Sequence, residues 1–317
     1  MSLEHSSIKK LGICMLTIAA CSILADYIIL NIHKAQRFRE PFVYVPDRNT
    51  RCSKDAWPRK EVDVVMFVPT PIQWGDRRRP VLKQFVREQW TDRQAILIFV
   101  LGTKTGERLE YDLDTSAVEQ LPGAEYLFTE CRDFGDEFNN PNGTSSTTCK
   151  VYEACVHIAQ HYKTKYVWRG ADDAYVNLRL FFRLMPTLPP ERLYMGISRQ
   201  AQTFTQDLLL ERQPRLRELF SLYQFGGYMA GASYVLSGDV AEFIGTLEIP
   251  PHLTWCEDVM VAMWLNPFRI TKLEMTDLPG YSNGPPLFVH YMKREWWYAI
   301  EQDGSLYIPY EIQKHYA

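Results

Sequence analysis

Apolar segments that alternate with helical patterns constrain the fold more than any other feature of this sequence. Four segments predict buried strands: residues 62–68, 95–101, 124–129 and 165–169. Residues 80–90 and 147–162 predict helices, and in the second of these the apolar residues recur at helical spacing, so one face should pack on the sheet. Strands separated by helices in this way predict an α/β domain whose mainly parallel sheet is covered on both faces.

Two adjacent carboxylates, Asp172 and Asp173, follow the fourth predicted strand. The carboxyl end of a strand is where an open α/β sheet places its ligand site. Two carboxylates there suit a hard divalent cation that bridges diphosphate oxygens and neutralises charge on a departing nucleotide. Asp-Asp pairs also occur in ordinary surface turns, so the pair alone leaves a solvated turn as an equal alternative.

Five segments resemble, in the same order, the motifs of glycosyltransferase family 31, which contains β-1,3-galactosyltransferases and β-1,3-N-acetylglucosaminyltransferases. The segments are DFGD at 133–136, YVWRGADDAYVN at 166–177, YMAGASYVLS at 228–237, CEDV at 256–259 and LFVH at 287–290. The resemblance spans roughly residues 61–300. It implies a GT-A fold and inverting transfer of a hexose from a uridine diphosphate (UDP) sugar to a glycan hydroxyl on a glycoprotein or glycolipid. Galactose is the first expectation for the donor sugar and N-acetylglucosamine the second.

The resemblance also implies roles for individual residues. Asp258 matches the Asp of the family's Glu-Asp-Val motif and would take the proton of the acceptor hydroxyl as the catalytic base. Asp173 and His290 would hold Mn²⁺ through mixed oxygen and nitrogen ligation. Four further residues would contact the donor: Thr70, Arg87, Asp172 and Glu257. Without the resemblance, Glu257 and Asp258 equally predict a helix cap, and His290 in the predicted strand 286–291 predicts a core residue.

Two departures from the family pattern bear on activity. Ala171 stands where the family usually has Asp. Because adjacent side chains of an extended segment point to opposite sides, Asp172 and Asp173 cannot both face one ion unless the chain turns, so the metal is assigned to Asp173. In segment 228–237, two of the family's three glycines are replaced. A catalytically silent relative that binds glycans or partner transferases is therefore the alternative. A hydrolase is disfavoured, because no motif places a second, opposed acid.

The N-terminal part of the sequence predicts a membrane protein of the secretory pathway. Residues 11–32 are long and apolar enough to cross a bilayer as one helix, between a cytosolic tail at 1–10 and a stem at 33–60. Asp26 is costly inside a bilayer, so a signal peptide cleaved near Ala25 is the alternative. The family resemblance favours a single-pass type II Golgi protein whose catalytic domain, residues 61–317, lies in the lumen. The glycosylation sequon at Asn142 is consistent with that route.

Charge and cysteine content limit the kinds of molecule that this chain is expected to bind. A net charge of −3 over 317 residues leaves no basic excess for binding nucleic acid. The arginine run at 77–79 predicts either a solvated loop rim or a contact to diphosphate. Outside the predicted anchor the chain has five cysteines: Cys52, Cys131, Cys149, Cys155 and Cys256. Because five is odd, at least one stays free or pairs between chains, which leaves a homo- or hetero-oligomer open.

Overall fold

The computed structural model describes nine parts of the chain: residues 42–44, 58–88, 94–103, 122–133, 146–199, 227–247, 257–266, 268–275 and 287–290. The predicted anchor at 11–32, most of the predicted stem and the sequon at Asn142 lie outside these parts. Within them, no helix combines the length and the apolar character that crossing a bilayer requires.

A large sheet lies at the centre of the described part of the molecule. The strands, in chain order, are β1 (Phe42–Tyr44), β2 (Lys60–Pro69), β3 (Ala95–Thr103), β4 (Glu125–Arg132), β5 (Tyr162–Gly170), β6 (Tyr175–Val176), β7 (Leu193–Arg199), β8 (Tyr228–Ser237), β9 (Thr271–Glu274) and β10 (Phe288–Val289). Eight of them form one sheet in the spatial order β1-β4-β3-β2-β5-β8-β7-β9, and β10 pairs with β6 in a separate two-stranded sheet. In the large sheet, β8 alone runs against the other strands. The predicted α/β class with a mostly parallel sheet is confirmed.

Helices cover both faces of the sheet. They are α1 (Gly75–Glu88), α2 (Ser146–His161), α3 (Leu178–Leu184), α4 (Gly238–Gly245) and α5 (Glu257–Leu265), with a 3-10 turn at Met185–Thr187. Side chains alternate along β2, so Val64 and Met66 join one core with α1 and α3, whereas Val65 and Phe67 join a second core with α2, α4 and α5. Strands buried on both faces carry continuous apolar sequence, which is why the sequence predicts them well.

The first helix begins earlier than predicted. The predicted start is residue 80, whereas α1 begins at Gly75 and Pro80 lies in its second turn. There the missing N–H removes one hydrogen bond to the carbonyl of Asp76. Buried Val81 and Phe85 pack the following turns against the sheet, so tertiary packing supports the helix across the proline. The predicted end at residue 90 lies outside the described residues.

A disulfide ties α2 to the end of β4. Cys131 and Cys149 are bonded, with 5.7 Å between their Cα atoms, across 18 residues of sequence. Cys155 is a buried thiol, and burial, with a smaller effect of the Glu257 charge, raises its pKa to about 12. Cys52 and Cys256 lie outside the described residues. The bond therefore anchors the second helix beside the carboxyl ends of the central strands.

Candidate functional site

The carboxyl ends of β2 and β5 lie side by side at one edge of the sheet, because the strands are parallel and Phe67 is opposite Arg169. Just beyond these ends, the hydroxyl of Thr70 donates a hydrogen bond of 2.7 Å to Oδ2 of Asp172. Both residues are buried, with exposed fractions of 1% and 7%. This contact holds the segment after β5 against the end of β2.

The chain turns at the acidic pair. The N–H of Ala174 donates to the carbonyl of Ala171 at 3.2 Å, so Asp172 and Asp173 are the central residues of a tight turn. Both carboxylates approach one cation, because Nη1 of Arg77 lies 3.5 Å from Oδ1 of Asp172 and 4.0 Å from Oδ2 of Asp173. The condition under which adjacent carboxylates can face the same ion is therefore met.

The far end of the described chain brings His290 to this turn. Strand β10 is antiparallel to β6, with Val289 opposite Tyr175, and the Asn177 N–H donates to the carbonyl of Leu287 at 2.8 Å. His290 follows β10 directly, so the strand predicted at 286–291 is short, and His290 is not a core strand residue. Its Nε2 lies 3.4 Å from Oδ1 of Asp173, and 22% of its side chain is exposed.

The pairing of Asp173 with His290 fits a shared metal ion. Two ligands that each lie about 2.1 Å from an ion, at right angles, are about 3 Å apart, which is close to the observed separation. The carboxylate oxygen is a donor that suits Mn²⁺. Within the described residues, no group of three or more His, Cys, Asp or Glu side chains is arranged to hold a metal ion.

The two carboxyl groups of the turn have opposite electrostatic environments. Burial raises the pKa of Asp172, and the charge of Asp173 adds to this, although the hydrogen bond from Thr70 and the charge of Arg77 oppose it. Burial also acts to raise the pKa of Asp173, but the hydrogen bond and charge of His290, together with Arg77, outweigh it and lower the pKa. Asp173 is therefore the better anionic ligand of the two.

A buried ion pair joins the segments that follow β2 and β4 to the end of β3. Nζ of Lys150 lies 3.1 Å from Oδ1 of Asp133 and donates to the carbonyl of Thr70 at 3.0 Å. The carboxylate of Asp133 also accepts the N–H of Ile72 at 2.6 Å and that of Gly102 at 3.0 Å. Asp133, the first residue of the DFGD segment, therefore helps to hold the backbone at Thr70 in position.

Asp258 lies in the first turn of α5. Its Oδ2 accepts the N–H of Gly231 at 3.0 Å, and its Oδ1 accepts the N–H of Val259 at 2.8 Å. Strand β8 is antiparallel to β5 with Ser233 opposite Gly170, so Gly231 lies two residues beyond the end of β5. Asp258 is therefore at the same edge of the sheet as the acidic turn.

Its neighbour Glu257 points into the protein. Only 6% of Glu257 is exposed, and its Oε2 lies 3.2 Å from Nη2 of Arg169. Its Oε1 accepts a hydrogen bond of 2.6 Å from the Tyr234 hydroxyl. Glu257, predicted as a donor contact, forms a buried ion pair with Arg169 next to Asp258.

The chain matches the family model described as galactosyltransferase over residues 77–276. It belongs to the galactosyltransferase family. This membership confirms the resemblance read from the sequence motifs, and it supports a role in glycosyl transfer.

Three solved structures that match this galactosyltransferase-family chain are distant in sequence. The WbbM bifunctional glycosyltransferase, in its apo form, gives a TM-score of 0.39 at 11% identity, over 74% of this chain and 46% of WbbM. HddC from Yersinia pseudotuberculosis gives 0.34 at 13% identity, over 76% and 99%. Mouse xyloside xylosyltransferase 1, also apo, gives 0.36 at 10% identity, over 68% and 86%. This chain thus spans less than half the length of WbbM. No curated protein sequence matches it.

Not all the residues predicted for the site in this galactosyltransferase-family chain come together. Arg87 lies in the last turn of α1, ten residues after Arg77 and therefore about 15 Å farther along the helix, and its carbonyl accepts a hydrogen bond from Arg179. The structure separates Arg87 from the acidic turn. Two buried charged residues, Lys150 and Arg169, were not predicted for the site. Arg169 interrupts the apolar sequence of β5, and a charge at such a position is a signal of a buried ion pair.

Proposed function

We propose that this chain is an inverting β-1,3-glycosyltransferase that moves a hexose from a UDP-sugar to a hydroxyl of a glycan on a glycoprotein or glycolipid. The observation that carries the proposal is the meeting of Asp173 and His290 at the sheet edge that also holds Asp258. Inversion at a sugar carbon needs one base and a means of stabilising the departing diphosphate, with no covalent nucleophile. The mostly parallel sheet agrees with the GT-A fold. Galactose is the preferred donor sugar and N-acetylglucosamine the second.

The acidic turn would bind the donor. Asp173 and His290 would hold Mn²⁺, which when bound neutralises the negative charge that builds on the departing diphosphate. Before a metal binds, burial acts to raise the pKa of Asp173, but His290 and Arg77 outweigh it and lower the pKa, so the carboxylate is charged when the ion arrives. Asp172, held by Thr70, would contact the ribose or the uracil of the nucleotide.

Asp258 would act as the base. Its two backbone hydrogen bonds fix the orientation of the carboxylate that would take the proton of the acceptor hydroxyl. As the acceptor oxygen forms its bond to the anomeric carbon, the bond to the diphosphate breaks and the hydroxyl proton passes to Asp258. A single displacement of this kind inverts the configuration at the anomeric carbon.

A catalytically silent relative that binds glycans or partner transferases is the second candidate. The observation in its favour is Ala171, the first residue of the acidic turn, which supplies no carboxylate where the family usually has one. In that case the site would bind a nucleotide or glycan without transferring sugar.

Release of UDP from donor sugars distinguishes the two candidates. The full-length chain, purified in detergent, would be incubated with UDP-galactose, UDP-N-acetylglucosamine and other UDP-sugars, in Mn²⁺ or in EDTA. The transferase should hydrolyse one donor slowly in Mn²⁺ and none in EDTA. UDP binding without hydrolysis of any donor would favour the silent relative, and absence of both binding and hydrolysis would refute a UDP-sugar site.

The proposed setting is the Golgi lumen, with residues 11–32 as a type II anchor. Carbonate extraction should leave the chain in the membrane fraction, and glycosidase treatment should shift its mobility. The matched control is Asn142→Gln, which should abolish the shift. Release by carbonate would indicate a cleaved signal peptide near Ala25, and a domain digested by protease from the cytosolic side would refute the lumenal assignment.

A further inference from the structure

Arg77 occupies the position between the two carboxylates of the acidic turn. We propose that Arg77 is a resident cation of the donor site, which neutralises Asp172 and Asp173 while no metal is bound and binds the donor diphosphate when the donor is present. The inference rests on the proposed function, because it assigns a further diphosphate-binding residue to the same site.

The geometry of Arg77 is that of a loosely held cation. Its Nη1 lies 3.5 Å from Asp172 and 4.0 Å from Asp173, whereas a committed charge-assisted hydrogen bond between these groups measures about 2.7–2.9 Å. Its side chain is 43% exposed. The guanidinium therefore lies between two anions at the open side of the turn and can move toward a third.

Trp74 orients this cation. The guanidinium carbon of Arg77 lies 4.0 Å from the centroid of the Trp74 ring, which is within the range of a cation–π contact. Stacking of this kind uses the flat face of the guanidinium, whereas its N–H donors lie in the plane at the edge. Such a planar fork matches phosphate oxygens in a bidentate manner, so the stacked arginine is preorganised for a diphosphate.

Stability of α1 does not account for an arginine at this position. Arg77 lies in the first turn of α1, where the helix dipole disfavours a positive charge. The next residue, Arg78, supports the turn before the helix, since it is 1% exposed and its Nη1 and Nη2 donate to the carbonyls of Pro71 and Ile72 at 2.6 and 2.9 Å. One arginine therefore serves the fold, and its neighbour faces the candidate donor site.

The proposal predicts that Arg77 has opposite effects on the binding of Mn²⁺ and on the binding of UDP. A metal ion that binds Asp173 must approach carboxylates that Arg77 already neutralises, so the arginine should weaken binding of Mn²⁺ alone. A diphosphate brings negative charge to the same place, so the arginine should strengthen binding of UDP. An arginine that only maintained the local fold would change both affinities in the same direction.

Calorimetry on the full-length chain in detergent tests this with Arg77→Gln, and with exposed Arg79→Gln as the control for the loss of one charge on the same helix. The probes are Mn²⁺ alone, UDP in EDTA, and uridine. In Arg77→Gln, Mn²⁺ should bind several-fold more tightly and UDP at least about 10-fold more weakly, while uridine binding stays at the wild-type value. Arg79→Gln should match the wild type with all three.

Each other outcome overturns the inference. If the wild type binds UDP and Arg77→Gln binds UDP and Mn²⁺ with wild-type affinity, Arg77 is not part of the site, although the proposed function stands. If Mn²⁺, UDP and uridine all bind more weakly to Arg77→Gln, the residue is structural. If the wild type itself binds no UDP with or without Mn²⁺, the proposed function fails and the inference fails with it.

Discussion

The Glu257→Gln variant should be less stable than the wild type, because the substitution leaves the buried positive charge of Arg169 without its counter-ion. The side chains of Glu257 and Arg169 are 5% and 9% exposed. Nε and Nη1 of Arg169 have no hydrogen-bond partner in the described part of the chain, so the carboxylate at 3.2 Å is the group that compensates its charge there. The amide of Gln would keep the volume and still accept the hydrogen bond from Tyr234, but it would bring no negative charge to Arg169.

The expected magnitude follows from this burial. Removing one partner of a buried ion pair costs about 3–5 kcal/mol, far more than the same change at the surface. Urea denaturation followed by circular dichroism should therefore show a large fall in the midpoint for Glu257→Gln. The matched control is Glu61→Gln, whose pair with Lys163 is exposed at both ends and whose loss should leave the midpoint unchanged.

The outcome that refutes the reasoning is a loss below about 1 kcal/mol for Glu257→Gln, because a solvated pair would behave in that way. A double variant supplies a second check. Arg169→Met combined with Glu257→Gln removes both charges, so it should recover part of the stability that Glu257→Gln alone loses. Absence of any recovery would show that the cost lies in packing or in the hydrogen bond with Tyr234.

Three further predictions concern the catalytic base, the metal ligands and the pH dependence of folding stability. Asp258→Asn should lower transfer by about 100-fold or more while UDP affinity stays near wild type, measured on one preparation; normal transfer would place the base elsewhere. Asp173→Asn and His290→Ala should weaken UDP binding in Mn²⁺ but not in EDTA, by calorimetry, and unchanged affinity in both variants would remove them from the metal site. Burial lowers the pKa of His157 from 6.5 to about 3, so the unfolded chain binds a proton that the folded chain does not. Stability should therefore fall as pH drops from 6.5 toward 3, by up to about 1.4 kcal/mol per pH unit, and His157→Gln should flatten that slope in urea titrations; an identical slope would contradict it.

Periodicity predicts much of the sheet because burial on both faces leaves a local signature. Mainly apolar segments predict strands β2 to β5, and apolar residues at helical spacing predict α2. Helix α1 begins before the predicted start at residue 80, because the packing of Val81 and Phe85 that supports the helix around Pro80 involves distant strands. Local signals therefore determine which elements form more reliably than where they begin.

The site is harder to predict because its contacts join distant parts of the chain. The motifs identified Asp173 and His290 separately, but their 3.4 Å approach depends on β10 pairing with β6. Adjacent carboxylates diverge only where the chain is extended. The chain turns at Asp172 and Asp173, where the N–H of Ala174 bonds the carbonyl of Ala171, so that expectation does not apply here. A charged residue in an apolar strand, such as Arg169, indicates a buried ion pair. Its partner Glu257 lies 88 residues away, so no local pattern identifies it.

The contacts around β8 show what the replaced glycines mean for the site. The family pattern places glycines at 231, 232 and 233, and this chain retains Gly231. A Cβ there would lie 2.9 Å from Oε2 of Glu257 and 3.3 Å from Oδ2 of Asp258, so a larger residue would have to displace these carboxylates. Ser233 replaces a glycine, yet its hydroxyl accepts a 2.7 Å hydrogen bond from the buried indole N–H of Trp168. Glycine at 233 would remove that acceptor. The glycine beside Asp258 is thus retained, and Ser233 supplies a hydrogen-bond acceptor for the buried Trp168. Both observations favour a working transferase over a silent relative, in which site residues are expected to be lost.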